Sequence, residues 1–249
     1  MNLKDLEDKH KGKLGFVVGA GPSLHFQDVE PLSNYVTITA NSGILKIPDC
    51  DYFVSDDEGV RHWNYYRVTA KNSKCTKLLY RAKLGDHIGH FKPEEVLLFD
   101  HKSWYEPSKR AWKEGGGTMT KDAEAPIIGA RTSLATGLHW AHIMGCDPIV
   151  LLGCDCCYKG RNRYFWQFPG ETKGYQMNNR PVFSTPNRGL KKNKPVDNHC
   201  VDFLEYWKKL AEEAKGVANI IYASEGGILD VFPSMTLVEV LEKYGDRTK

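Results

Sequence analysis

Five short apolar runs, each closed by a small or polar residue, constrain the fold of this chain more than any other feature. Residues 14–18 (LGFVV) break into Gly19-Ala20-Gly21-Pro22-Ser23, residues 36–39 (VTIT) into Ala40-Asn41-Ser42-Gly43, and residues 52–54 (YFV) into Ser55-Asp56-Asp57. Residues 78–80 (LLY) and 96–99 (VLLF) repeat the pattern, the second ending at Asp100. Runs this short, rich in β-branched residues and bounded by turn formers, read as buried strands. Residues 132–145 (TSLATGLHWAHIMG) predict a helix with Leu134, Leu138, Ala141 and Ile143 near one face, Gly145 as its C-cap, and His139 and His142 on its surface. A buried strand over 148–153, a helix over 203–215, a strand over 219–223 and a closing helix over 237–244 follow. Strands alternating with helices predict an α/β domain with a mostly parallel sheet covered on both faces, whose ligands bind at the carboxyl ends of the strands.

The chain has 249 residues, 41% of them hydrophobic, which suits one large core, and a single domain over 1–249 is the simplest division. Residues 159–198 interrupt the rhythm with Asn, Gly, Pro and basic residues, and are read as a lid or acceptor-binding insertion. With 34 Lys+Arg against 31 Asp+Glu, the net charge of +3 does not announce a nucleic-acid binder. No apolar run approaches the roughly 18–20 residues that cross a bilayer. The charged start MNLKDLEDKHKGK predicts no signal peptide and a cytoplasmic location. Seven cysteines, three of them crowded at Cys154, Cys156 and Cys157, point to reduced thiols. These follow a buried strand, so small packing residues are favoured over a zinc site there.

Several residues at the strand ends have chemistry to offer. Gly19 and Gly21 let backbone N–H groups approach a phosphate, although a tight strand-to-helix turn explains them equally well. The third glycine of a dinucleotide fingerprint and the Gly-Lys-Ser/Thr of a Walker loop are both missing. Asn41 suits the edge of a base or ribose, or a turn. Asp56 and Asp57 suit a divalent cation, a hydroxyl, or plain solvation. Asp155 is delivered to the sheet edge by a buried strand, where it serves a ligand or caps the next turn. His199, at the end of the insertion, has the chemistry of a general base. Tyr158, Tyr164, Phe165 and Trp166 form an aromatic cluster that either packs or stacks on a ligand. The basic run 188–194 is a solvated face or a phosphate contact. No G-x-S-x-G elbow supports a serine hydrolase.

The order of these residues carries a resemblance. Gly19-Ala20-Gly21-Pro22-Ser23-Leu24, Ala40-Asn41-Ser42, Thr132-Ser133, Leu151-Leu152-Gly153-Cys154-Asp155, Tyr158 and Tyr164, with the C-terminal helix, strand and 224–233 loop, resemble the bacterial sialyltransferases of glycosyltransferase family 42. The motility accessory factors and 6-hydroxymethylpterin diphosphokinase-like domains, phage proteins among them, share these features. The resemblance implies a single Rossmann-like domain with a lid over a nucleotide-sugar donor, homo-oligomeric assembly, and direct displacement with no required cofactor. It implies that Gly19, Ala20, Gly21, Pro22 and Ser23 face the donor phosphate, that Asn41 and Ser133 bind the nucleotide sugar, and that Asp155 contacts the nucleotide. Tyr158 and Tyr164 would assist the departing phosphate and His199 would deprotonate the acceptor, a glycan or modified DNA. The chain departs from the sialyltransferases in one extra residue between Asp155 and Tyr158, and in Ser55-Asp56-Asp57 where an asparagine-containing stretch is expected. His199 also lies closer to the following helix than the family's lid histidine. The acidic pair opens an alternative, an ATP- and magnesium-dependent diphosphokinase with Asp56 and Asp57 as ligands. A nucleotide-binding module without catalysis is the third reading.

Overall fold

A computed structural model describes residues 1–102, 105–106, 111–112, 119–128, 132–174 and 198–249, with residues 102, 105, 106, 111, 112 and 198–202 described by their backbone alone. Seven strands form one sheet: β1 (Gly15–Val18), β2 (Val36–Ala40), β3 (Tyr52–Ser55), β4 (Thr76–Tyr80), β5 (Val96–Phe99), β6 (Ile149–Leu152) and β7 (Ile220–Tyr222). Every pair is parallel, and the order is β7-β6-β1-β2-β3-β4-β5. The chain therefore runs outward from β1 to β5, then returns to the other side of β1. That reversal leaves a crevice between the carboxyl ends of β1 and β6, where an open α/β sheet binds ligands.

Side chains alternate across this sheet with a period of two, as the pleat demands. Val17, Ile38, Val54, Ile149 and Leu151 pack on one face with Leu134 and Leu138. Phe16, Val18, Phe53, Val150 and Leu152 pack on the other with Leu24, Ile44 and Tyr66. Both faces are covered, so the mostly parallel α/β sheet expected from the strand pattern is what forms, with the Rossmann-like architecture that the resemblance implied.

The first face is covered by α1 (Ser133–Ile143) and α2 (Asn198–Ala214); α3 (Leu237–Tyr244) lies near the C-terminus and places Leu237 and Val240 in the second face. Thr132 caps α1 by accepting a hydrogen bond from the Leu134 N–H. All eleven residues of α1 are buried. A Cβ on Gly137 would stand 2.9 Å from Val17 Cγ1, and the missing side chain is what lets the helix lie this close to the sheet. The surface position expected for His139 and His142 is therefore corrected: both are buried. His139 Nδ1 accepts from the Ile128 N–H at 2.8 Å, its Nε2–H donates to the Thr120 carbonyl at 2.9 Å, and burial pushes its pKa down to about 4. A neutral imidazole bonded at both nitrogens is a structural tie, and it needed no exposed face.

The second face differs from a regular βαβ layer. Its connections are single turns of 3₁₀-helix at Pro22–Phe26, Glu30–Asn34, Asn41–Leu45 and Glu58–His62, and a π-helical turn at Tyr65–Ala70. Prolines at the start of two of these turns and the clusters of small polar residues favour short turns over α-helix. The expected insertion begins with packed structure, since Phe165 and Trp166 are buried in this layer. Glu171 accepts hydrogen bonds from Lys46 at 3.0 Å and pairs with His25 at 2.9 Å, fastening residues 159–174 to the sheet. Residues 175–197, the larger part of the expected lid and all of the basic run 188–194, lie outside the described residues. No helix among the described residues is long and apolar enough to cross a membrane.

Candidate functional site

A cleft of about 600 Å³ opens along the carboxyl ends of β6, β1, β2, β3 and β4 and reaches His101 just past β5. Its first wall lies at the switch point. Gly19 follows β1, and a Cβ there would stand 2.5 Å from the Gly153 carbonyl oxygen. A Cβ on Gly21 would collide with the Asp155 carboxylate. The Gly19 N–H donates to the Leu152 carbonyl at 2.8 Å and the Gly21 N–H to the Gly153 carbonyl at 2.9 Å. Both amides are thus spent on joining the two strand ends. The glycines serve close approach of backbone to backbone, and their two N–H groups are already engaged.

Ser23, expected among the phosphate-facing residues, is buried and bound to Asp155 twice. Its N–H donates to Oδ1 and its hydroxyl to Oδ2, both at 2.8 Å. Asp155 lines the cleft with only 4% of its surface exposed, and burial pushes its pKa up to about 6 against the two Ser23 hydrogen bonds that pull it down. The result is an oriented carboxylate, suited to accepting hydrogen bonds from hydroxyl or amino groups of a ligand.

The second wall is assembled from three segments distant in sequence. Asp56, after β3, receives a short hydrogen bond from the Ser133 hydroxyl at Oδ1 and one of 2.8 Å from the Thr136 hydroxyl at Oδ2, both from the first turn of α1. His101 Nε2 lies 3.7 Å from Asp56 Oδ2, and its ring leans on Tyr80 with centroids 4.7 Å apart. Burial holds the His101 pKa below the usual histidine range, while Asp56 pulls the other way. Lys83 lines the same end.

Asn41 sits between the walls. Its φ of +49° is a left-handed conformation that asparagine tolerates better than most residues. Ser55 donates its hydroxyl to Asn41 Oδ1 at 2.7 Å, so the side-chain NH₂ is what Asn41 offers the cleft. Beyond β6, Tyr158, Arg163 and Tyr164 line the cleft together. Tyr164 stacks on Trp166 at 5.0 Å, and the Trp166 N–H donates to the Ser42 hydroxyl at 3.1 Å. The Arg163 guanidinium lies 5.9 Å from the Tyr158 ring and 5.6 Å from the Tyr164 ring. Burial raises the Tyr164 pKa, so its phenol remains an O–H donor at neutral pH.

Of the residues singled out in the sequence, Gly19, Ala20, Gly21, Pro22, Asn41, Asp56, Ser133, Asp155, Tyr158 and Tyr164 converge on this cleft, and Ser23 stands behind Asp155. His199 falls in the first turn of α2, which begins at Asn198 rather than beyond residue 200, and its side chain lies outside the described residues. Sequence reasoning missed Trp63, Tyr65, Lys83, His101 and Arg163. Only His101 carried a usable signal, as a titratable residue just past an apolar run. Among the described residues no group of three His, Cys, Asp or Glu side chains is placed to hold a metal ion. Cys154 is buried, while Cys156 and Cys157 are half-buried at the cleft edge.

No protein-family model and no curated protein matches the sequence. Among solved structures, the MAf glycosyltransferase from Magnetospirillum magneticum AMB-1 is similar in fold, with a TM-score of 0.54 and 12% identity. The similarity covers 100% of this chain and 41% of the larger protein, so the chain spans well under half of that relative's length.

Proposed function

We propose that the chain transfers a glycosyl group from a nucleotide-activated donor bound in the cleft. The observation that carries this reading is the grouping of Tyr158, Tyr164 and Arg163 on one wall beside the Asp155 carboxylate. Phenol and guanidinium donors stabilise the negative charge that develops on a departing phosphate without requiring a metal ion. Asp155 accepts from the ribose or base, and the Asn41 amide and the Ser133 side of the cleft hold the sugar. The similarity in fold to a protein described as a glycosyltransferase supports the same reading. The acceptor is a hydroxyl compound, with a glycan favoured and modified DNA the other candidate; strongly salt-dependent binding would select the polyanion. Asp56 has both carboxylate oxygens engaged by hydroxyl donors, so the Asp56–Asp57 magnesium site of the diphosphokinase alternative receives no independent support.

The test is a thermal-shift panel of CMP, CDP, UDP, GDP and ATP, each with and without magnesium, since a ligand bound by the native state raises its melting temperature. A shift with CMP, CDP, UDP or GDP that needs no magnesium is expected. A shift with ATP alone, seen only with magnesium, overturns the reading in favour of diphosphate transfer.

A further inference from the structure

Transfer to a hydroxyl requires a base for the acceptor proton, and the wall away from Asp155 carries an imidazole beside a fixed carboxylate. We propose that His101 is the general base of the transfer and that the nearby Asp56 carboxylate balances the charge of the imidazolium it becomes. This inference rests on the glycosyl-transfer reading.

Three observations converge on it. Asp56 is buried and held from α1 by the Ser133 and Thr136 hydroxyls, so its Oδ2 is fixed 3.7 Å from His101 Nε2. His101 lines the cleft with a side chain only 12% exposed, packed against Tyr80, which keeps it at the cleft and away from bulk water. The sheet order then sets the spacing. Strands lie roughly 4.8 Å apart, so Asp56 at β3 stands about 10 Å along the sheet edge from the β1 turn. That separation leaves room for a donor anchored near Asp155 with its sugar extended toward the dyad.

The chemical balance is complete without a further reactant. The acceptor O–H bond breaks as its oxygen bonds to the anomeric carbon, and the proton passes to His101 Nε2. The bond from the anomeric carbon to the phosphate oxygen breaks, and its electron pair leaves with the nucleotide. The imidazolium so formed is paired with Asp56. Among the described residues, the groups facing His101 are Asp56, Lys83, Tyr80 and its own backbone; burial and Lys83 hold its pKa below the usual histidine range, which favours the neutral ring that a base must be.

The experiment measures nucleotide release from UDP-glucose, UDP-N-acetylglucosamine, GDP-mannose and CMP-N-acetylneuraminate by the full chain, with water, a methyl glycoside or sodium azide as acceptor. Azide has no proton to lose and needs no base. His101→Gln should lower transfer to water and the glycoside by about 10²–10⁴-fold and abolish the acid limb of the pH profile. It should keep the nucleotide-induced thermal shift and form glycosyl azide within a few-fold of the wild-type rate. Asp56→Asn removes the anion that favours imidazolium, so its acid limb should move to lower pH. Should His101→Gln lose the nucleotide shift, His101→Asn replaces it in the same measurements. Parallel loss of the azide reaction in both variants would mean a structural role and overturn the proposal. Retention of rate and acid limb in His101→Gln, with their loss in His199→Gln, would overturn it too. If the wild-type chain releases nucleotide from none of the four donors, the glycosyl-transfer reading itself fails and takes the base assignment with it.

Discussion

The two walls of the cleft are built in opposite ways. The wall at β1 and β6 comes from two strand ends in register, Val18 beside Leu152, with backbone hydrogen bonds and missing Cβ atoms setting its shape. The wall at β3 and β5 comes from side chains alone, with Asp56, Ser133, Thr136 and His101 arriving from three segments. A wall made of backbone tolerates almost no added atom, whereas a wall made of side chains depends on each hydrogen bond. Substitutions on the two walls should therefore fail differently.

The largest effect is expected at the backbone wall. In Gly21→Ala the new methyl group meets the Asp155 carboxylate and lies 2.7 Å from the Gly153 carbonyl, and the strand ends that carry them are fixed. Relief requires breaking the Ser23–Asp155 pair, so a loss of about 3 kcal/mol or more is expected in urea unfolding, with no remaining nucleotide-induced thermal shift. A fully stable Gly21→Ala protein would show that this wall yields, and would erase the contrast.

Next in size is a pH dependence. The folded pKa of Asp155 is raised from 3.8 to about 6, chiefly by burial. Below about pH 3 the carboxyl is protonated in both folded and unfolded chains, and its contribution to stability is intact. As the pH rises through 6, the unfolded chain has already ionised freely while the folded one must ionise in a buried site, so that contribution is lost. The difference amounts to about 3 kcal/mol between pH 3 and pH 7. Asp155→Asn has no such titration, and its stability relative to the parent should improve by that order over the same interval. Equal pH slopes for the two proteins would mean that Asp155 is solvated.

The contrast also explains what could be read from the sequence. The apolar runs disclosed the strands because those at the centre of the sheet, such as β1, β2 and β6, are buried on both faces and leave a continuous signature, and Gly19, Gly21 and Asp155 stood beside those runs. The role of Ser23 was hidden, because its partner Asp155 is 132 residues away. His101 stood just past an apolar run, but its pairing with Asp56 was hidden for the same reason, since nothing local ties the two together. The buried His139 and His142 were misplaced because a helix buried all round has no polar face by which to set its rotation. The amides of Gly19 and Gly21 could only be assigned once the β6 carbonyls opposite them were known.

A smaller effect sharpens the side-chain wall. Thr136→Val keeps the shape of a fully buried residue but removes the 2.8 Å donor to Asp56 Oδ2. A hydrogen bond to a charged group contributes about 1.5–3 kcal/mol, so a loss of about 2 kcal/mol is expected in urea unfolding. The nucleotide thermal shift should persist, because the switch-point wall is untouched. Loss of that shift together with stability would show that the two walls act as one unit.

The smallest effect is expected where the walls meet, at Cys156 and Cys157. Both thiols are half-buried and lie directly between Asp155 and Tyr158, so a metal or redox role there would disturb nucleotide binding when they are replaced. Burial holds the Cys154 thiol well above the usual range, which makes it a poor thiolate ligand. As small packing residues, Cys156 and Cys157 should accept serine at a cost below about 1 kcal/mol, with the nucleotide shift retained and native mass spectrometry showing no zinc in either protein. A stoichiometric zinc in the parent that vanishes in Cys156→Ser/Cys157→Ser would instead make this junction a third, metal-built part of the site, and the division into a backbone wall and a side-chain wall would no longer describe it.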